Sequence, residues 1–469
     1  MLKAGLIMIE ITSGKRSLTL GGFLWVLLGV NLVVAWTGRA ADLLEVRTLE
    51  LTNGMKVLVH EDHAIPNVTM HVFYRIGSRN ERPGITGLSH FFEHMMFNGA
   101  KKYGPKQLDV VMEAAGGANN AYTTENDTVY TDWFPTSALE LIFDIESDRI
   151  ANLAFDPKMI ASEREVVASE RRLSVEGDNG ALLSEQVTAM AFTAHPYQWP
   201  VIGWMVDIEH WTMDDLKAYF NLGYAPSNAT MVVCGDVKFA EIERLARNYM
   251  ESIPARAKPG PVTTVEPVQN GERRLKLVKE AELPQLLVAY HVPESRQADY
   301  FALELLRDIL AGGHSSRLYQ RLVDKDQVAL GVSADLPLAL DPTLFTISAQ
   351  AKAGVDTDAI EKALYAELER VKKGGVTAFE LQKAKNGQLA HFYRELNTIN
   401  GQAAALGNHE LFFGGYHELF QVPERFEKVT AADVQRVARK YLDELNRNVG
   451  ILVPKQETSP SATAGKPQN

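Results

Sequence analysis

The chain has 469 residues, 46% hydrophobic and 23% charged, which is long enough for two packed domains and too apolar for a disordered polymer. Its 48 basic and 59 acidic residues give a formal charge of −11, so no net basic field exists to hold a nucleic acid. The single cysteine, Cys234, excludes an internal disulfide and a thiolate metal cluster.

In chain order, residues 1–40 stand apart. Lys15 and Arg16 precede an uncharged run over residues 17–38, and Gly38 and Ala40 supply small residues before Ala41. This layout predicts an export signal cut after Ala40, or a retained anchor formed by residues 17–38, with the rest of the chain in the periplasm. Residues 41–252 read as the first domain. LTNGMKVLVHED, turning at Asn53-Gly54, and the alternating VTMHVFYRIG predict strands, and helical periodicity marks residues 136–150 and 156–176. TMDDLKAYFNLGYAPSNATMVVCGD then reads as cap, helix, turn and apolar strand, with Asn228 heading the strand.

A linker, residues 253–270, opens with a Pro/Gly-rich stretch, after which the same plan recurs over residues 271–455. GERRLKLVKEAELPQLLVAYHVP predicts two strands, and helices follow over residues 301–310, 356–373 and 377–412. TAADVQRVARKYLDELNRNVGILVPK repeats the cap, helix, turn and strand, with Asn448 in the place of Asn228. The tail, residues 456–469, has no apolar anchor and is expected to be disordered. The predicted fold is α+β, a duplicated pair of homologous domains, each a mainly antiparallel sheet packed against helices.

The segment that carries chemistry is His90-Phe91-Phe92-Glu93-His94. On a helix, His90 and His94 lie one turn apart on one face and can hold one Zn2+ ion, while Glu93 reaches the attacking water without being a ligand. Such a site needs a third protein ligand. The helix that begins near Asp156 offers Glu163 and Glu170, seven residues apart on one face, and spacing alone does not choose between them. The unchosen carboxylate would then orient a ligand histidine. Gly312-Gly313-His314-Ser315-Ser316 lacks the lysine and spacing of a phosphate-binding loop.

The stretch GLSHFFEHMMFNGAKKY resembles the inverted-zincin signature of the pitrilysin-like, or mitochondrial-processing-peptidase-like, metallopeptidases of family M16. LTNGMKVLVHED, GSRNERPGITG, GGANNAYTTENDTVY, SEREVVASERR and LAGGHSSRLYQRL extend the likeness over residues 45–455. The resemblance implies one zinc per chain on His90, His94 and Glu170, with Glu93 activating water and Glu163 as a supporting acid. It implies two facing domains and a peptide bound as an extended strand beside Asn120, Ala121 and Tyr122. The glycine-rich piece would be a loop facing the substrate.

One departure has a consequence. Members of the family carry Arg and Tyr seven residues apart in a stretch like LREKxGLAY, which meet the substrate carbonyl from the opposing domain. Here the stretch is LVDKDQVAL, with Val323 and Leu330 at those positions. The pattern resembles the zinc-bearing subunit of two-chain (M16B-type) members, whose homologous zinc-less partner supplies the Arg/Tyr pair. The expected function is therefore a zinc endopeptidase acting on peptides or unfolded segments as a catalytic subunit. The alternative is a non-catalytic peptide-binding or scaffold subunit of the same fold.

Overall fold

A computed structural model describes residues 44–455. The leader, with its predicted cleavage point and anchor, and the tail beyond residue 455 lie outside the described residues. Among those described, no helix is long and apolar enough to cross a membrane.

Among the described residues, eleven strands build two sheets. The first contains β1 (Val46–Glu50), β2 (Lys56–Glu61), β3 (Asn67–Tyr74), β4 (Ala118–Thr123), β5 (Thr128–Pro135) and β6 (Ala229–Gly235), in the order β1-β2-β6-β3-β5-β4. The second contains β7 (Arg273–Lys279), β8 (Gln285–Val292), β9 (Ala329–Asp335), β10 (Thr343–Ala351) and β11 (Arg447–Pro454), in the order β7-β11-β8-β10-β9. Without β1 the two orders superimpose strand for strand. Each sheet has a single parallel pair, β2 with β6 and β7 with β11, and is otherwise antiparallel. The mainly antiparallel α+β class read from the sequence is the fold observed, with helices against both sheets.

The echo before the last strand of each sheet is an atomic one. Thr212 and Thr430 each cap a helix, Met213–Gly223 and Ala431–Tyr441, in a reciprocal box with an aspartate three residues on, Asp215 or Asp433. Each helix leads through a short 3-10 turn into β6 or β11. At the end of that turn Asn228 donates to the carbonyls of Gly223 and Arg75, and Asn446 donates to those of Tyr441 and His291. The counterpart of Asn228 is therefore Asn446 and not Asn448, two residues short of the alignment expected from sequence. The cause is the fixed reach of an amide from the turn to the carbonyl five residues back.

Each sheet is covered by a helix from the other half. Ile399–Asn408 lies across β6 and β3, while Asn179–Ala191 lies across β11 and β8. A Cβ on Gly407 would overlap the Phe73 ring, and one on Gly450 in β11 would overlap Val187, so glycine is required where helix and strand meet. This exchange explains why β6 is buried on both faces. Met231 and Val233 enter the core of the first half, and Val232 and Cys234 enter the core shared with the second.

It also breaks the helix expected over residues 377–412. That segment is Ala378–Glu395 followed by Ile399–Asn408 and a π turn, His409–Phe413. The break falls where Thr398 accepts a hydrogen bond from Gly401 N and starts a new helix in a new direction. The segment expected over residues 156–176 behaves alike. It is Pro157–Arg171 with a π turn, Arg172–Glu176, after which Asp178 caps the helix that crosses to the second sheet.

Candidate metal centre

The motif lies on the helix Leu88–Met95, whose Leu88, Phe91, Phe92 and Met95 are buried and so turn His90, Glu93 and His94 to the open side. Several contacts fix its position. Gly87 takes φ 90° at the helix start, where a Cβ would overlap the carbonyl of Ile202. The Glu81 carboxylate accepts the N–H groups of Gly87 and Ser89, both at 2.7 Å, and burial pushes its pKa up to about 8. The hydroxyls of Tyr130 and Tyr224 donate to the carbonyls of Phe92 and Ser89 at 3.0 and 3.1 Å.

The helix Pro157–Arg171 brings in both glutamates. One Glu170 oxygen is 3.6 Å from His90 Nε2 and the other 3.3 Å from His94 Nε2, and one donor atom from each of the three residues lies within 4.8 Å of the others. Glu163 instead meets the far side of the ring, 2.8 Å from His94 Nδ1, and its other oxygen accepts from Asn98 Nδ2 at 2.6 Å. A charged Glu163 keeps a proton on Nδ1, so that Nε2, facing Glu170, is the nitrogen that would give up its proton to a metal. The geometry thus separates two residues that spacing alone left equivalent.

The donors fit a zinc ion. Two imidazole nitrogens and one carboxylate are the set that leaves a fourth position open. The field favours positive charge between them. Burial opposes protonation of His94, but the hydrogen bonds and charges of Glu163 and Glu170 prevail and raise its pKa to about 9. Burial and the neighbouring His94 lower His90 to about 4, so its ring is neutral with a lone pair available.

Glu93 is not one of these three donors, although it lies close enough to feel the charges of His94 and Glu170. Thr123 Oγ1 donates to its Oε2 at 2.6 Å, while burial raises the carboxyl above the usual range. Thr123 ends β4, an outer strand of the first sheet, whose side chains alternate. Ala121 and Thr123 turn toward the motif helix and its core, and Asn120 and Tyr122 turn the other way and are exposed. Beside the histidines opens a cavity of about 430 Å³, lined by His90, Thr123, Glu125, Glu170, Gln198 and Trp199 among others.

Val323 and Leu330 are not brought to this cavity. Val323 lies in the turn Tyr319–Lys325, packed against the second core, and Leu330 is half exposed on β9. Sequence reasoning quoted Glu81, Asn98, Thr123 and Glu125 only within longer stretches and gave them no role. Only the position of Asn98, one helical turn beyond His94, offered a signal. We expect Thr123→Val to lower kcat at least tenfold with KM little changed and Thr123→Ser to restore most of it; steady-state peptide kinetics check this.

Fold and site together define a duplicated two-sheet α+β protein bearing a His-x-x-Glu-His helix and a third acidic donor on a second helix. Residues 56–203 match the family described as "Insulinase (Peptidase family M16)", and residues 210–388 match the "Peptidase M16 inactive domain". The zinc protease PqqE of Helicobacter pylori is 30% identical over 447 residues, covering 94% of this chain and 99% of that one. The probable mitochondrial-processing peptidase subunit beta of Arabidopsis thaliana is 26% identical, over 88% of this chain and 79% of that one.

Among solved structures, a protease from Helicobacter pylori superimposes with a TM-score of 0.85 at 29% identity, over 88% of this chain and all 100% of that one. The periplasmic protease PqqL of Escherichia coli gives 0.73 at 22% identity, over 89% of this chain but 49% of that one. The chain belongs to peptidase family M16.

Proposed function

We propose that the chain is a zinc-dependent endopeptidase that hydrolyses peptides or unfolded protein segments as the catalytic member of a two-subunit peptidase. The observation that carries this reading is the division of labour among the carboxylates. Glu170 converges with the two histidines, whereas Glu93 is not among these donors and has one oxygen on Thr123 and, among the described residues, no hydrogen bond to the other. A peptide adds as a strand to the outer edge of β4, with Asn120, Ala121 and Tyr122 beside its backbone. His90, His94 and Glu170 hold the zinc, which when bound polarises the scissile carbonyl and makes water easier to deprotonate. Glu93 Oε1 takes a proton from the attacking water and returns it to the leaving amine nitrogen as the C–N bond breaks. Glu163 holds the His94 ring throughout.

Support for a second subunit comes from Val323 and Leu330, which carry no donor, and from PqqL, of which this chain covers half. Export to the periplasm is supported by the layout of residues 1–40. The alternative, a peptide-binding subunit without turnover, has in its favour the same missing donors and gives Glu93 nothing to do.

Elemental analysis tests the metal assignment. Protein purified without chelator should carry about one zinc per chain, His94→Ala and Glu170→Gln should lose most of it, and Glu163→Gln should lose less, since outer partners typically cost about 10–100-fold in affinity. Zinc absent and not taken up on addition, or lost more fully from Glu163→Gln than from Glu170→Gln, contradicts the assignment.

A further inference from the structure

The Thr123 hydroxyl that holds Glu93 stands at the start of a tight turn, and that turn is tied to the second half of the chain. β4 and β5 meet over residues 124–127, where Thr124 N donates to Asp127 O at 2.8 Å and Asn126 N donates to Thr124 Oγ1 at 2.9 Å. Asn126 is only 2% exposed, and its side-chain amide is spent outside the turn. Its Oδ1 accepts from the Tyr197 hydroxyl at 2.5 Å and from Leu340 N at 3.3 Å, while Nδ2 donates to Leu338 O at 3.5 Å. A backbone N–H can only donate, so the contact with Leu340 fixes which end of the amide is which.

Leu338 and Leu340 belong to residues 336–342, the loop that joins β9 to β10. The loop is anchored on two sides. In its own half, Ala339 N donates to Ser295 Oγ at 2.9 Å and Ser295 N donates to Ala339 O at 3.1 Å. Toward the first half, Asp341 pairs with Arg79 at 2.6 Å and lies 3.2 Å from His195 Nε2, and its N–H donates to the Tyr197 hydroxyl at 3.3 Å. Tyr197 is buried like Asn126, so a polar group that lost its partner here would have no water to replace it. The opposite side of the turn meets Ser78 and Arg79, whose N–H groups donate to the Thr124 and Glu125 carbonyls at 3.3 and 3.0 Å. A Cβ on Gly77 would lie 2.5 Å from Glu125 C, which shows how closely the two segments pack. The turn is thus clamped between one segment of the first half and one loop of the second. Displacing a reacting group by about 1 Å can cost about 10²-fold in rate, so the clamp matters to whatever Thr123 holds.

We infer that the second half positions the general base: the loop over residues 336–342, through Tyr197 and Asn126, holds the β4–β5 turn so that Thr123 meets Glu93. The inference rests on the peptidase reading above and gives the second half a part in its chemistry. Tyr197 and Asn126 are positioning residues, since neither lines the cavity beside the histidines. Tyr197→Phe removes one hydroxyl and little else. In the zinc-loaded full chain it should lower kcat about tenfold in the peptide assay, with KM and zinc content unchanged. Asn126→Ala cuts the same link from the other end and should act alike. On a Thr123→Val background, where the link to Glu93 is already cut, Tyr197→Phe should lower kcat less than about twofold, as expected of residues that act in series. Hydrogen–deuterium exchange should quicken over residues 124–127 in both single variants, with circular dichroism unchanged. An unchanged kcat, a full tenfold loss on the Thr123→Val background, zinc lost along with activity, or unchanged exchange at the turn overturns the positioning assignment alone. Cleavage absent from the wild-type chain, both alone and with a homologous zinc-less partner, overturns the peptidase reading and the part assigned to the turn with it.

Discussion

Glu93→Gln is expected to lower peptide turnover by about 10²–10⁴-fold while leaving about one zinc per chain and peptide affinity unchanged. The metal should stay because its donors are His90, His94 and Glu170, and Glu93 is not among them. The loss should be large because of what holds the side chain. Thr123 Oγ1 donates at 2.6 Å to Oε2, and an amide in its place offers its only acceptor, the carbonyl oxygen, to that hydroxyl. The NH2 group then occupies the site of the free carboxylate oxygen, where it can donate a hydrogen bond but cannot accept a proton from water. Zinc content by elemental analysis, affinity by fluorescence titration and rate by a quenched-peptide assay separate the three quantities. An unchanged rate would remove Glu93 from the mechanism. Loss of zinc would mean that the donor set includes it.

Much of this site was legible in the residue string because its parts are local. His90 and His94 needed only the helical period to meet, and the alternation of β4 is a property of any strand. The choice between Glu163 and Glu170 was not legible, because both lie on one face of one helix. What separates them is which side of the His94 ring each reaches, a matter of how two helices cross. The reciprocal cover of the sheets was hidden for the same reason. Residues 377–412 keep a helical period throughout, so the turn at Thr398 shows only as a capping residue inside an apolar pattern. Its cause, the need of β3 and β6 for a cover, lies more than 160 residues back in the chain. Glu125 is the plainest case. In sequence it is one acidic residue in a polar turn, and its place in the wall of the cavity beside His90 and Glu170 is a fact about everything around it.

The second large effect concerns the donors that this chain lacks. The isolated protein should be a weak peptidase, and adding a homologous zinc-less chain with Arg and Tyr at the positions of Val323 and Leu330 should raise its rate by about 10²–10³-fold or more. That is the usual worth of one preorganised donor to a developing oxyanion. Two donors need not multiply, because groups that act as a unit are not additive. Restoring the pair within this chain should not substitute for the partner, and the structure gives the reason. Val323 packs against the second core, so an Arg there would press a guanidinium into apolar surroundings and lower stability without reaching the zinc. Leu330 is half exposed on β9, so Leu330→Tyr should fold normally and gain little alone. Size-exclusion chromatography coupled to the peptide assay reads the outcome. Activity that appears only in a peak holding both chains supports the two-subunit reading. Full activity in the peak of this chain alone, unchanged by any homologous partner, would place the missing donors on residues of its own and leave Val323 and Leu330 without consequence.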